Sequence, residues 1–77
     1  MNLAELRHAV ADRLNVVADH ALRDRDAAAH LAKLHAAAAR LDALVADLPR
    51  DCDPMLRHFL ERQSYTKALA WLDERVR

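Results

Sequence analysis

The chain has 77 residues, the size of a single domain spanning 1–77. With no glycine and one cysteine, it offers neither a glycine-rich phosphate loop nor an internal disulfide. Its 12 basic and 12 acidic residues cancel and form no long run of one sign, so it lacks the electrostatic footprint of a nucleic-acid or anionic-membrane binder.

Helix is the expected element throughout. There are 17 Ala and 13 Leu, residues that lose little side-chain freedom in a helix, against five Val and no Ile. Tight hairpin turns call for Gly or Asn, and the only asparagines are Asn2 and Asn15. No apolar stretch approaches the length of a membrane span. The opening MNLAELRHAV carries Glu5 and mixes polar with apolar residues, unlike a signal peptide. The cytoplasm is the expected compartment, and the lone Cys52 fits a reducing one.

The first predicted helix covers about 2–22. Asn2 is a good N-cap with Glu5 three residues on, and Leu3, Leu6, Val10, Leu14, Val17 and Ala21 recur at steps of three and four. His20 and Arg23 would suit its last turn, where the helix dipole favours cations. The Arg23-Asp24-Arg25-Asp26 run then breaks the stripe, and Asp24 or Asp26 would cap a second helix over 26–48. Its stripe is Leu31, Leu34, Ala38, Leu41, Val45 and Leu48, and Pro49 ends it. An alternative is written in the same residues. Leu3, Val10, Val17, Asp24, Leu31, Ala38 and Val45 stand seven apart with no Pro or Gly between them. The first two helices could therefore fuse into one long helix of an intermolecular coiled coil. The hairpin is preferred because cations precede the break and carboxylates follow it.

A third helix is predicted over 54–62, with Asp53 as N-cap, Pro54 at the first position and Leu56, Phe59 and Leu60 as its apolar face. The stripe slips at Gln63-Ser64. A fourth helix over 65–76, with Ser64 as its cap, would bury Tyr65, Leu69, Leu72 and Val76; one bent helix from Pro54 to Arg75 is the competing reading. The expected fold is a small all-α antiparallel bundle of three to four helices.

No chemistry stands out. His30 and His35 are five apart, about 140° round a helix, and so do not share a face as metal ligands would. Glu5 and His8 match the Glu-x-x-His unit of di-iron bundles, but only Glu61 and Glu74 remain to complete such a site. Asp51 and Asp53 read as turn and cap residues, and Cys52 between them is not read as a nucleophile. Ser64, Tyr65 and Thr66 have no base or oxyanion hole suggested beside them. No metal, cofactor, small-molecule substrate or catalytic residue is implied, and an enzyme is not expected.

Two binding readings remain. Residues 55–77 could form a helix-turn-helix DNA-binding unit, using Arg57, Arg62, Lys67, Arg75 and Arg77. Asp73, Glu74 and the neutral charge balance disfavour nucleic acid as the partner. The preferred reading is a non-enzymatic interaction module that binds another protein or itself, as a homodimer. A chain this short struggles to bury its own apolar surface. Trp71, Leu22 and Leu44 fall off the main stripes, and His58, Arg62 and Tyr65 form a polar stripe beside Thr66 and Lys67. Trp71, Tyr65, His58, Arg62, Leu22 and Leu44 are therefore the candidate partner-binding residues.

Overall fold

A computed structural model describes residues 2–76; Met1 and Arg77, the latter among the basic residues of the DNA-binding reading, lie outside the described residues. Five helices follow one another: α1 (Leu3–Ala18), α2 (His20–Arg25), α3 (Ala27–Ala46), α4 (Pro54–Glu61) and α5 (Tyr65–Val76). There is no strand among the described residues. The all-α bundle expected from composition is the observed fold.

Side chains that compete for backbone groups set the helix boundaries. Asn2 Oδ1 accepts from the Glu5 N–H at 3.1 Å and starts α1. The predicted helix 2–22 is divided at Asp19. This residue leaves helical geometry (ψ 73°), and its carboxylate accepts from the Leu22 N–H at 3.1 Å, opening α2. His20 and Arg23 thus belong to α2 rather than to the end of α1. Asp26 makes the next break in the same way, its Oδ1 accepting from the Ala29 N–H at 3.0 Å. Asp24, the other candidate cap, lies inside α2. The fused long helix is ruled out by these two breaks and by the packing of α3 back along α1.

Helix α3 ends at Ala46, two residues short of the predicted boundary, because the residue before a proline avoids helical geometry and Leu48 precedes Pro49. Asp53 Oδ1 accepts from the N–H groups of Met55 and Leu56, with Pro54 in the first turn of α4, as the sequence implied. Arg57 donates to the Pro49 carbonyl at 2.7 Å and holds the connecting loop against α4.

The slip at Gln63-Ser64 is a two-helix junction, not a bend. Gln63 takes φ 57°, the left-handed conformation that ends many helices. The Ser64 N–H donates to the Phe59 carbonyl at 2.8 Å, and the Gln63 N–H donates to the Leu60 carbonyl at 3.1 Å. Those two bonds satisfy the last carbonyls of α4 in a Schellman arrangement. Ser64 holds the capping position of α5, its carbonyl accepting from the Ala68 N–H at 2.9 Å.

Helix α1 is central. Both α3 and α5 pack along it, α2 folds onto α3, and α4 packs on α5. The core joins Leu6, Ala9 and Val10 of α1 to Leu41 of α3, Leu56 and Leu60 of α4, and Ala68 and Leu72 of α5. Phe59, Leu69, Tyr65 and Trp71 are half-buried against it. Helix α5 runs antiparallel to α1: Tyr65, its first residue, lies under the Arg13 guanidinium, and Asp73 pairs with Arg7. Partly exposed, the Arg7–Asp73 pair contributes at most about 1 kcal/mol.

Two predicted stripes are only half core. Val17 is 50% exposed and Ala21 is exposed, so the α1 stripe is buried at Leu6 and Val10 and lost beyond Leu14. In α3, Leu31 is 52% exposed. The positions buried there are His30, Ala37 and Leu41, a face rotated from the expected heptad toward α1. Over its first half α3 packs against α1 and the short α2, which carries buried Leu22, and α5 does not reach it.

Gln63 bears the steric cost of a Cβ at positive φ, on the order of 1 kcal/mol. Replacing Gln63 with Gly should stabilise the fold by about 0.5–1 kcal/mol and raise Tm by several degrees in a thermal melt. Gln63→Ala, which keeps the Cβ, should change little. Equal melts for the glycine and alanine variants would contradict this junction geometry.

Candidate functional site

The six residues proposed for partner binding do not form one surface. Leu22 is 8% exposed, buried within the chain with little area left for a partner. It fell off the α1 stripe because the chain turns at Asp19, so the register of α1 does not apply to it. Leu44 is half-buried against the core and lines a small pocket of about 190 Å³ with Asn2, Glu5, Leu6 and Asp47. Trp71 also packs against the core, and the Arg75 guanidinium stacks over its ring at 3.8 Å while donating to its carbonyl. The indole is thus a lid on the core whose outer face is partly occupied by a cation. Tyr65 is half-buried under Arg13, whose guanidinium lies 5.3 Å from the ring centre.

His58, Arg62, Thr66 and Lys67 are exposed on either side of the α4–α5 turn. Arg62 is also the C-cap residue of α4. The solvent face of α5 carries Thr66, Lys67, Ala70 and Glu74, and half-buried Asp73 is paired with Arg7. As a recognition helix α5 would present Lys67, Glu74 and Arg75, the last stacked on Trp71, with few groups able to read base edges.

One polar contact was missed in the sequence. His30 is only 6% exposed, and its Nε2–H donates to the Val16 carbonyl at 2.8 Å. Val16 lies in the last turn of α1, where carbonyls lack helical partners. His30 therefore ties α3 to the end of α1 and satisfies a carbonyl that also accepts from the Asp19 N–H. Nothing in the local pattern marked it, because His30 sits beside the predicted stripe rather than on it. Among the described residues, no three His, Cys, Asp or Glu side chains converge as metal ligands.

A shallow groove of about 330 Å³ runs between α1 and α3, lined by Asp12, Val16, Lys33, Ala36, Ala37 and Arg40. It is open and of mixed charge, with Asp12 on one side and Lys33 and Arg40 on the other.

The most distinctive surface is the open end of the α1–α3 hairpin. Helix α5 begins at the level of Arg13, so the last turn of α1 and the first half of α3 project past it. Along each helix the stripe that faces α4 and α5 comes out of cover in about one heptad. On α1 the sequence runs from buried Val10 through half-buried Leu14 to half-exposed Val17. On α3 it runs from buried Leu41 through half-buried Ala38 and Leu34 to half-exposed Leu31. The chain is correspondingly elongated, 42 × 22 × 20 Å, with a radius of gyration of 13.1 Å. A compact 77-residue domain would have about 11.5 Å.

Comparison with protein-family models, with curated proteins and with solved structures found no match for this chain.

The His30 tie can be tested by separating its bond from its volume. His30→Ala should lower unfolding free energy by about 2–3 kcal/mol in urea titration, through a lost buried bond and a cavity. His30→Leu refills the space and should recover roughly half of that loss. An alanine variant as stable as the parent would show that the contact contributes nothing.

Proposed function

We propose that this chain is a non-enzymatic protein–protein interaction module that acts by self-association. The observation that carries this reading is the graded exposure of the two apolar stripes at the hairpin end. Large aliphatic side chains normally leave water on folding, each gaining about 1.5–3 kcal/mol when fully buried. Val17 and Leu31 forgo about half of that in the single chain. They stand in register with residues that are fully buried nearer α5, so the stripe is built as core and lacks a cover. An isolated exposed leucine would need no explanation; two adjoining helices that lose cover together do.

Other features agree. The accessible surface is 5274 Å² for a mass of 8.7 kDa. A compact monomer of that mass exposes about 4,700 Å². The balanced charge puts no net repulsion between copies. No helix among the described residues is long and apolar enough to cross a membrane. The helix-turn-helix reading of 55–77 draws support only from the three-residue junction Arg62–Ser64, and the sparse face of α5 weighs against it.

Sedimentation equilibrium or light scattering between about 1 and 300 μM tests the reading. Self-association predicts a rising mean mass across that range. It also predicts that the melting temperature climbs by several degrees for a hundredfold rise in concentration, since assembly is linked to folding. A constant monomer mass at all concentrations, with a constant melting temperature, would overturn it.

A further inference from the structure

Resting on self-association as the activity, we infer that the occupant of the uncovered stripe is the same hairpin end of a second copy. The two copies are related by a two-fold axis, with Leu14 and Val17 of one chain against Leu31 and Leu34 of the other.

The stripe requires a particular kind of cover. Where it is covered, α1 and α3 meet aliphatic and small side chains on helices: Leu56 and Leu60 of α4, Ala68 and Leu72 of α5. One heptad beyond Val10 stands Val17, and one heptad before Leu41 stands Leu34. A helix drifts only about 20° per heptad, so these positions prolong the same face. The surface that would continue the core is therefore another pair of helices with aliphatic residues at heptad spacing. The hairpin end carries that pattern itself, in Leu14, Val17, Leu31 and Leu34. Two such ends closing on each other would extend the core as an intermolecular four-helix layer, each chain giving what the other lacks.

Between Arg13 and Ala38 the ionised side chains are Arg13, Asp19, Arg23, Asp24, Arg25, Asp26 and Lys33, four basic and three acidic. An end so nearly neutral meets its own copy without like-charge penalty. The alternation Arg23-Asp24-Arg25-Asp26 is exposed at the tip and carries no net charge. A strongly charged partner would gain nothing from this surface.

The chain as a whole exposes roughly 500 Å² more than a compact monomer of its mass. A standard stable interface takes about 800 Å² from each partner, and weak ones take less. The uncovered part of the stripe, half-exposed Val17 and Leu31 beside half-buried Leu14 and Leu34, is small by that standard, so the expected dimer is reversible.

The test compares three aspartate variants by sedimentation equilibrium. Val17→Asp and Leu31→Asp place a charge in the inferred interface. Met55→Asp is the control, because Met55 is equally exposed (53%) but lies on α4, away from the stripe. Each of the first two should weaken the dimer at least tenfold, and the control less than threefold, with helical circular dichroism kept in all. Should an aspartate variant unfold, Val17→Ala and Leu31→Ala trim the same surface and should each weaken the dimer about three- to tenfold. A parent that dimerises while the Val17 and Leu31 variants dimerise equally well would overturn this interface and leave self-association standing. A parent that stays monomeric would overturn both. Equal weakening by Met55→Asp would likewise overturn the hairpin-end assignment.

Discussion

Everything in this fold depends on α1 having two neighbours at once. A 16-residue helix is about 24 Å long. On its first three turns it meets α3 on one side and α5 on the other, so Leu6, Ala9 and Val10 are sealed from water. A helix covered on two sides can bury a wide apolar band. Covered on one side, it buries only the strip that faces its partner. The 12 residues of α5 are too few to follow α1 to its end. The core is deep where three long helices meet and thin where only the hairpin remains. At that thin end the structure relies on the His30–Val16 bond and on Leu22 from the short α2, not on a packed leucine layer.

The absence of glycine explains much of the remaining detail. Helices here are opened and separated by aspartates, at Asp19, Asp26 and Asp53, each drawing a backbone N–H to its carboxylate. An aspartate cap breaks a helix without needing positive φ. Among the described residues the chain enters the left-handed region only at the α4–α5 junction, and a glutamine does it. The strain there is modest, and the arrangement survives because Leu60 on one side and Ala68 on the other are both locked into the core. Junction and core support each other.

The functional reading and the fold share one origin. The stripe that organises α1 and α3 is longer than the chain's own means of covering it. The residues singled out early for partner contact, Trp71, Tyr65 and Leu44, are drawn in to close the covered end, and Leu22 is drawn in to close the open one. What stays uncovered is a piece of the stripe that looked like core. Off-stripe position is a weak guide to exposure in so small a domain. Large side chains beside the seam bend over it as lids, and seam positions beyond the last covering helix are left in water.

Helical class, the capped starts at Asn2 and Asp53 and the core at Leu6, Val10, Leu41, Leu56, Leu60 and Leu72 were legible in the chain, and the slip at Gln63-Ser64 was visible there without deciding between a junction and a bend. They follow from local chemistry: propensity, short-range side-chain caps and the period of apolar residues. The turn at Asp19, the burial of His30 and Leu22 and the exposure of Val17 and Leu31 were decided only in three dimensions. A helical period tells which residues share a face. It carries no information on how far along that face a neighbouring helix extends, and here the short reach of α5 divides core from open surface.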